Sequence, residues 1–143
     1  MVDDDEQLYR RVLNNQFSTI DGRLRLSSES FSDRERKPSV DRARLIAFDP
    51  KFTQKKSDSG VAWLIAEEVR AIEAVTSTSG NTVTVHKPDV LEDPIPQTTE
   101  GPANPAHAIV VTNPPVPGPS AFRKLATALA ELASRRGWKL PPS

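Results

Sequence analysis

The stretch Ala106-His107-Ala108-Ile109-Val110-Val111-Thr112 decides the fold prediction. Its run from Ala108 to Val111 is continuously apolar, which favours a strand that is buried on both faces. Four prolines follow between Asn113 and Pro119 and end the strand, because proline has no N–H to donate to a β-ladder. We therefore expect a sheet whose core includes Ile109–Val111.

Two segments carry the apolar periodicity of amphipathic helices, in which one face is buried. One helix is predicted from about Ser120 to Arg136, between caps at Ser120 and Gly137, with a stripe of Phe122, Leu125, Leu129 and Leu132. The other is predicted from about Val61 to Val75, with a stripe of Val61, Ile65, Val69 and Ile72. Residues 39–46 fit either a strand or a short helix capped by Ser39, and we take the helix.

Shorter patterns predict the remaining strands and one loop. Residues 8–13 and 82–86 contain side chains that favour strands, and Asp21-Gly22 is a turn signal inside a hairpin over 17–26. Prolines and acids dominate 88–105, which we expect to be a long irregular segment. The prediction is an α+β fold: a small mixed sheet of about four short strands, packed by two amphipathic helices, with a long Pro-rich loop.

Length and composition restrict the class of protein. The chain has 143 residues, 19 basic and 19 acidic side chains, and no cysteine. We expect a single domain over residues 7–140 behind a mobile acidic tail at 1–6. The balanced charge argues against a dedicated nucleic-acid binder, and no apolar run is long enough to span a bilayer. The lack of cysteine excludes disulfides and fits a cytoplasmic location.

A histidine at the start of the buried strand is the first candidate for chemistry. Asn104-Pro105 is a turn dipeptide that places His107 where a loop enters a rigid strand. A neutral imidazole there is suited to act as a general base near pH 7. The alternative, which we favour, is that His107 pins the loop. His86 is expected to be structural, because no metal-ligand spacing surrounds either histidine.

A second candidate combines arginines with a run of serines. Arg10 and Arg11 lie on the first predicted strand, and Ser27, Ser28 and Asp33 lie in a polar loop. Arginine forks and short hydroxyls are the groups that anchor a phosphate. This order resembles ADP-ribosyltransferase-like folds, in which a first-strand Arg, a later Ser/Thr strand and a late Glu line an NAD cleft. The resemblance has no counterpart for the late Glu, since Glu100 lies in a predicted loop and Glu131 in a predicted helix.

Local charge supplies a third candidate. Basic residues outnumber acidic ones over 23–44 and again over 123–139. If the two segments met, they would form a basic face for RNA or for an acidic protein. Aromatic residues that could stack on bases are sparse, so an ordinary surface of mixed charge is the simpler interpretation.

We therefore predict a small protein that acts by protein–protein interaction, as an accessory subunit of a larger system, with no membrane association. One alternative is a compact enzyme or toxin acting on a phosphate-containing substrate, either ADP-ribosyltransferase-like or nuclease-like; another is an RNA-binding module. In the enzyme, His107, Arg11 and Ser28 would be catalytic, while Arg10, Ser27, Asp33 and Asn104 would bind. No motif for a cofactor or a metal is present, and none is predicted.

Overall fold

The computed structural model describes all 143 residues and is built on a six-stranded antiparallel sheet. The strands are β1 Gln7–Val12, β2 Phe17–Ile20, β3 Arg23–Leu26, β4 Ser39–Arg42, β5 Gly60–Ile65, β6 Thr76–Ser79, β7 Thr82–Val85, β8 Lys87–Glu92, β9 His107–Asn113 and β10 Trp138–Leu140. Their order in the large sheet is β10-β5-β1-β4-β9-β8, while β2-β3 and β6-β7 form separate hairpins. The chain thus mixes helix and sheet, as predicted, but six strands form the main sheet instead of four.

Only one long helix covers the sheet. The helices are α1 Pro50–Gln54, α2 Ala66–Arg70 and α3 Pro119–Arg136, and two 3-10 turns, Ser28–Phe31 and Ala43–Ile46, precede α1 in the chain. Helix α3 buries Leu125 and Leu129 in the main hydrophobic core, together with Leu8, Val110 and other sheet residues. Pro119 occupies its first turn, where the fixed φ of proline suits a helix start. The predicted helix at 120–136 is confirmed together with its C-cap at Gly137, but its N-cap is Gly118 and not Ser120, because Pro119 starts the helix one residue earlier. The second amphipathic helix is not found.

The predicted helix over Val61–Val75 is wrong. Residues 60–65 form β5, and a helix of five residues, α2, follows directly. Strand β5 lies between β10 and β1, so Ala62 and Leu64 face the core under α3 while Val61 is buried on the opposite face. A strand that is buried on both faces shows no alternation of polar and apolar residues. Its apolar residues could therefore be read as part of a helical stripe.

Other expectations also need correction. The predicted helix over 39–46 is strand β4 followed by a 3-10 turn. The segment 88–105, expected to be irregular, begins within β8, where Pro88 is accommodated because β8 is an edge strand. The hairpin at Asp21-Gly22 forms as predicted, with positive φ at both residues. Strands β1 and β9 also form where the sequence predicted them.

Residues 1–6, which composition predicts to be a mobile tail, lie against the body of the protein. Val2 and Glu6 are buried. The Glu6 carboxylate accepts from Arg42 Nε at 2.8 Å and from Arg42 Nη2 at 2.9 Å, a two-pronged ion pair beneath the surface. Asp3 pairs with Arg44. Opposite charge, rather than apolar burial alone, fixes this segment.

The edge strand β10 depends on a glycine opposite it. An added Cβ at Gly60 would overlap the indole ring of Trp138. That ring lies edge-on to Phe17, with ring centroids 4.9 Å apart. Gly60 thus leaves the space that allows Trp138 to pack on the sheet and β10 to pair with β5.

We expect Gly60→Ala to lower the free energy of unfolding by about 1–3 kcal/mol, because the new methyl group forces the indole from its packed position. Chemical denaturation followed by tryptophan fluorescence measures the change. Gly101→Ala is the control, since nothing lies within 4 Å of an added Cβ there. Equal stability of the two variants would contradict this account of the β10 edge.

The Glu6–Arg42 pair predicts how stability depends on acid. Burial alone would raise the pKa of Glu6, but its hydrogen bonds and the charges of Arg42 and Arg44 outweigh burial and hold the pKa below its ordinary value of 4.5. The stabilisation is therefore complete above about pH 4.5 and is lost as the pH falls through the folded-state pKa. Denaturation between pH 7 and pH 3 should show this loss. Glu6→Gln should be less stable at pH 7 and should show a shallower decline; an unchanged decline would contradict the assignment.

Candidate functional site

Four side chains form one row across the face of the sheet opposite α3. Tyr9 in β1 pairs with Trp63 in β5 on one side and with Asp41 in β4 on the other. Asp41 in turn pairs with His107 in β9. Directly paired residues point to the same face of a sheet, with Cβ atoms about 5 Å apart. An aromatic ring, a carboxylate and an imidazole are therefore neighbours on three adjacent strands.

A cleft of about 370 Å³ lies over three members of this row, Tyr9, Asp41 and His107. Its walls come from the segment that contains α1, which supplies Thr53 and Lys55, and from the Pro-rich loop, which supplies Ile95 and Asn104. The floor includes Tyr9, Arg11, Asp41 and His107. Few of these groups are apolar, so the cleft suits a polar ligand.

Asp41 holds the two walls together. One carboxylate oxygen accepts from the Thr53 hydroxyl at 2.8 Å, and the other accepts from Asn104 Nδ2 at 3.0 Å. Asp41 is 8% exposed and has no cation within ion-pair distance. Each carboxylate oxygen can accept a further hydrogen bond. The buried carboxylate is thus both a structural anchor and a free acceptor for a ligand in the cleft.

His107 is oriented by its neighbour on the sheet edge. Its Nδ1 lies 2.8 Å from the carbonyl oxygen of Asp93 and 3.3 Å from the Asp93 carboxylate. A carbonyl oxygen only accepts, so Nδ1 carries the proton and Nε2 of the neutral ring keeps its lone pair. Nε2 has no partner within the chain, and the ring lines the cleft. This arrangement suits proton transfer at Nε2.

The neighbouring arginines of β1 have different surroundings. Arg10 donates to the carbonyl oxygens of Ser30 at 2.9 Å, Ser32 at 3.1 Å and Ser39 at 2.8 Å. Burial lowers the pKa of Arg10, although the nearby Asp33 opposes the shift. Arg11 is exposed, lines the cleft, and makes no hydrogen bond or ion pair through its side chain. Arg10 therefore secures the fold, and Arg11 is the one whose donors are free for a ligand.

The structure brings together some of the residues that the sequence singled out and separates others. Arg10, Arg11, Asn104 and His107 line the cleft. Ser27 and Ser28 do not; they lie at the 3-10 turn whose Phe31 packs in the core under α3. Asp33 lines a second cavity of about 350 Å³, which also includes His107.

The sequence analysis did not predict several polar residues of the cleft as site residues, among them Tyr9, Asp41, Thr53 and Lys55. The prediction of a helix over 39–46 hid Asp41, because only a strand places it beside His107. The only local signal for a strand was the β-branched Val40 between Ser39 and Asp41, since Arg42 breaks any alternation of polar and apolar residues. Tyr9 and Lys55 carry no local signal, since their positions follow from strand pairing and from a turn.

The second histidine is engaged on both ring nitrogens. Buried His86 donates from Nδ1 to the carbonyl oxygen of Pro114 at 2.8 Å, and its Nε2 accepts from the Ser77 hydroxyl at 2.6 Å. It thereby ties the β6-β7 hairpin to the segment after β9. No group of three His, Cys, Asp or Glu side chains is placed to hold a metal ion.

The two basic segments have part of their charge engaged. Arg42 and Arg44 pair with acids of residues 1–6, and Arg136 pairs with Glu68. Arg136 also stacks over the Trp63 ring, with its Cζ 4.8 Å from the ring centroid. None of the helices has the length and apolar character needed to cross a membrane.

Comparison of the chain with known proteins gave no match. No family model matches the sequence, no curated protein matches it, and no solved structure matches the fold. The function of the cleft therefore has to be inferred from the side chains that line it.

Proposed function

We propose that the protein is a compact cytoplasmic enzyme that acts on a phosphate-containing substrate, with the cleft over Tyr9, Asp41 and His107 as its active site. The observation that carries this proposal is the arrangement of His107, which lines a polar cleft, binds Asp93 through Nδ1 and has no partner within the chain at Nε2. An imidazole held in this way is ready to exchange a proton with a ligand.

The surrounding groups fit a phosphoryl substrate. Arg11 offers a fork of donors that matches phosphate oxygens. Asp41 has spare acceptor positions for a sugar hydroxyl or an amino group, and Asn104 and Thr53 hold it in place. In hydrolysis, water would give its proton to His107 Nε2 while its oxygen attacks phosphorus. The bond to the leaving oxygen breaks, and that oxygen takes up a proton from His107 or solvent.

Of the two reaction classes considered, the cleft favours phosphoester or phosphoanhydride hydrolysis over ADP-ribosyl transfer. The lining contains no glutamate, the residue that completes an ADP-ribosyltransferase-like site. Ser27 and Ser28, the other residues of that resemblance, lie outside the cleft. A histidine that transfers protons and an arginine that stabilises negative charge both contribute to the first class of reaction.

We expect the purified protein to hydrolyse at least one member of a panel of p-nitrophenyl phosphate, bis-p-nitrophenyl phosphate, ADP and a short single-stranded RNA. His107→Ala should reduce that rate about 100-fold or more, since general acid–base groups contribute at least that factor. Arg123→Ala, on the exposed side of α3, should retain the rate. An inactive wild-type protein, or a His107→Ala variant as active as the wild type, would contradict the proposal.

A second candidate function is contact with a protein partner, the role of an accessory subunit. Leu45, Phe48 and Phe52 are large apolar side chains that are 45%, 55% and 41% exposed on one segment. Ala47 and Phe48 both have positive φ, at 52° and 56°. Such a backbone is rare for a bulky residue, and strain of this kind concentrates at functional positions. We name these three exposed side chains, which precede the cleft residue Thr53 in the sequence, the outer patch.

The partner hypothesis predicts that the double variant Phe48→Gly/Phe52→Ser remains folded and loses a protein that co-purifies with the wild type at native expression level. Glycine adopts a positive φ without a steric penalty, so the substitution at position 48 should not lower the melting temperature. Val83→Ser, a change at a side chain that is 63% exposed on the β6-β7 hairpin, is the control and should keep the partner. Identical co-purifying proteins for all three forms would count against the patch.

A further inference from the structure

Lys55 occupies a backbone conformation that a lysine rarely adopts. Its φ is 63° and its ψ is −49°, and the N–H of Lys56 donates to the carbonyl oxygen of Gln54 at 2.7 Å. A hydrogen bond between residues two apart around a positive φ defines a γ-turn, which is rare and strained for an L-residue. Glycine would occupy this position without a steric penalty. The presence of a lysine therefore calls for an explanation in its side chain.

No stabilising contact of the Lys55 side chain explains why a lysine occupies this strained position. Its ammonium group makes no hydrogen bond and no ion pair, and its nearest aromatic contact is the Phe52 ring, with Nζ 5.6 Å from the centroid. The residue lines the same cleft as Arg11, which is also without a partner. Two free cations thus border a cleft whose only lining carboxylate, Asp41, is already held by Thr53 and Asn104.

We propose that Lys55 is a substrate-anchoring residue that acts with Arg11, and that the γ-turn holds it in place to bind a diphosphate or a terminal phosphate. Two cations match a group with at least two negative charges better than the single charge of an internal phosphodiester. This inference rests on the proposed function and narrows its substrate class to phosphoanhydrides and phosphate monoesters. Strain retained at the turn is offset when the ligand is bound, a pattern typical of binding sites.

Calorimetric titration with inorganic pyrophosphate tests the inference. The wild type should bind, and Lys55→Met, which keeps most of the side chain, should weaken binding about tenfold or more, as expected for one charge-assisted hydrogen bond. Lys55→Gly should weaken binding equally and raise the melting temperature by about 3 °C, because glycine relieves the strained φ. Lys56→Ala removes a neighbouring positive charge outside the cleft and should leave binding and melting temperature unchanged.

The same titrations distinguish a failure of the role of Lys55 from a failure of the proposed active site. If Arg11→Ala weakens pyrophosphate binding while both Lys55 variants bind within about twofold of the wild type, the role of Lys55 is overturned and the active site stands. If Lys56→Ala weakens pyrophosphate binding as much as Lys55→Met does, the loss reflects only the net positive charge of this segment, and the role of Lys55 is again overturned. A wild type that does not bind pyrophosphate would overturn the inference, whereas the proposed function would fall only if the hydrolysis panel also showed no activity. An Arg11→Ala variant that binds normally would overturn the joint role of Arg11 and Lys55.

Discussion

The burial of one carboxylate sets the arrangement of the functional face. Asp41 lies on a central strand of the sheet, where an unsatisfied charged group would be costly. Its two oxygens are satisfied by Thr53, from the segment around α1, and by Asn104, from the Pro-rich loop. Both donors follow β4 in the sequence, 12 and 63 residues after Asp41, so they come from segments that are far apart along the chain. Satisfying Asp41 therefore brings both segments over the sheet, and the space left between them is the cleft.

One face of the sheet carries the main hydrophobic core, and the other carries the polar side chains of the cleft. Helix α3 covers one face and contributes six of the 21 buried residues of the main hydrophobic core. The other face has only a small apolar cluster around Tyr9, Ala43 and Val61, and its remaining area carries the polar row. Because the core under α3 holds the strands in register, the side chains of the polar row keep fixed relative positions without much packing of their own.

The sequence predicted those parts of the structure that depend on local patterns. Strand β9, the Asp21-Gly22 hairpin and helix α3 have their signals within a few neighbouring residues. Strand β5 was mistaken for a helix because burial on both faces removed the alternation that marks a strand. His107 and Asn104 could be singled out from the turn before a buried strand, but their meeting with Asp41 requires the β4–β9 pairing, which no local pattern encodes. The positive φ of Lys55 was equally hidden, since no glycine marks that turn.

His107 has no partner within the chain at Nε2, whereas both ring nitrogens of His86, the chain's only other histidine, are engaged. Long-range ¹H–¹⁵N correlation spectra of the two imidazole rings at about pH 8, where a neutral ring is ordinarily expected, test it directly. The account predicts Nδ1-protonated tautomers for both rings, and a shift of the His107 Nε2 resonance alone when pyrophosphate is added. A His107 ring protonated at Nε2, or an Nε2 resonance that does not respond to pyrophosphate, would contradict it.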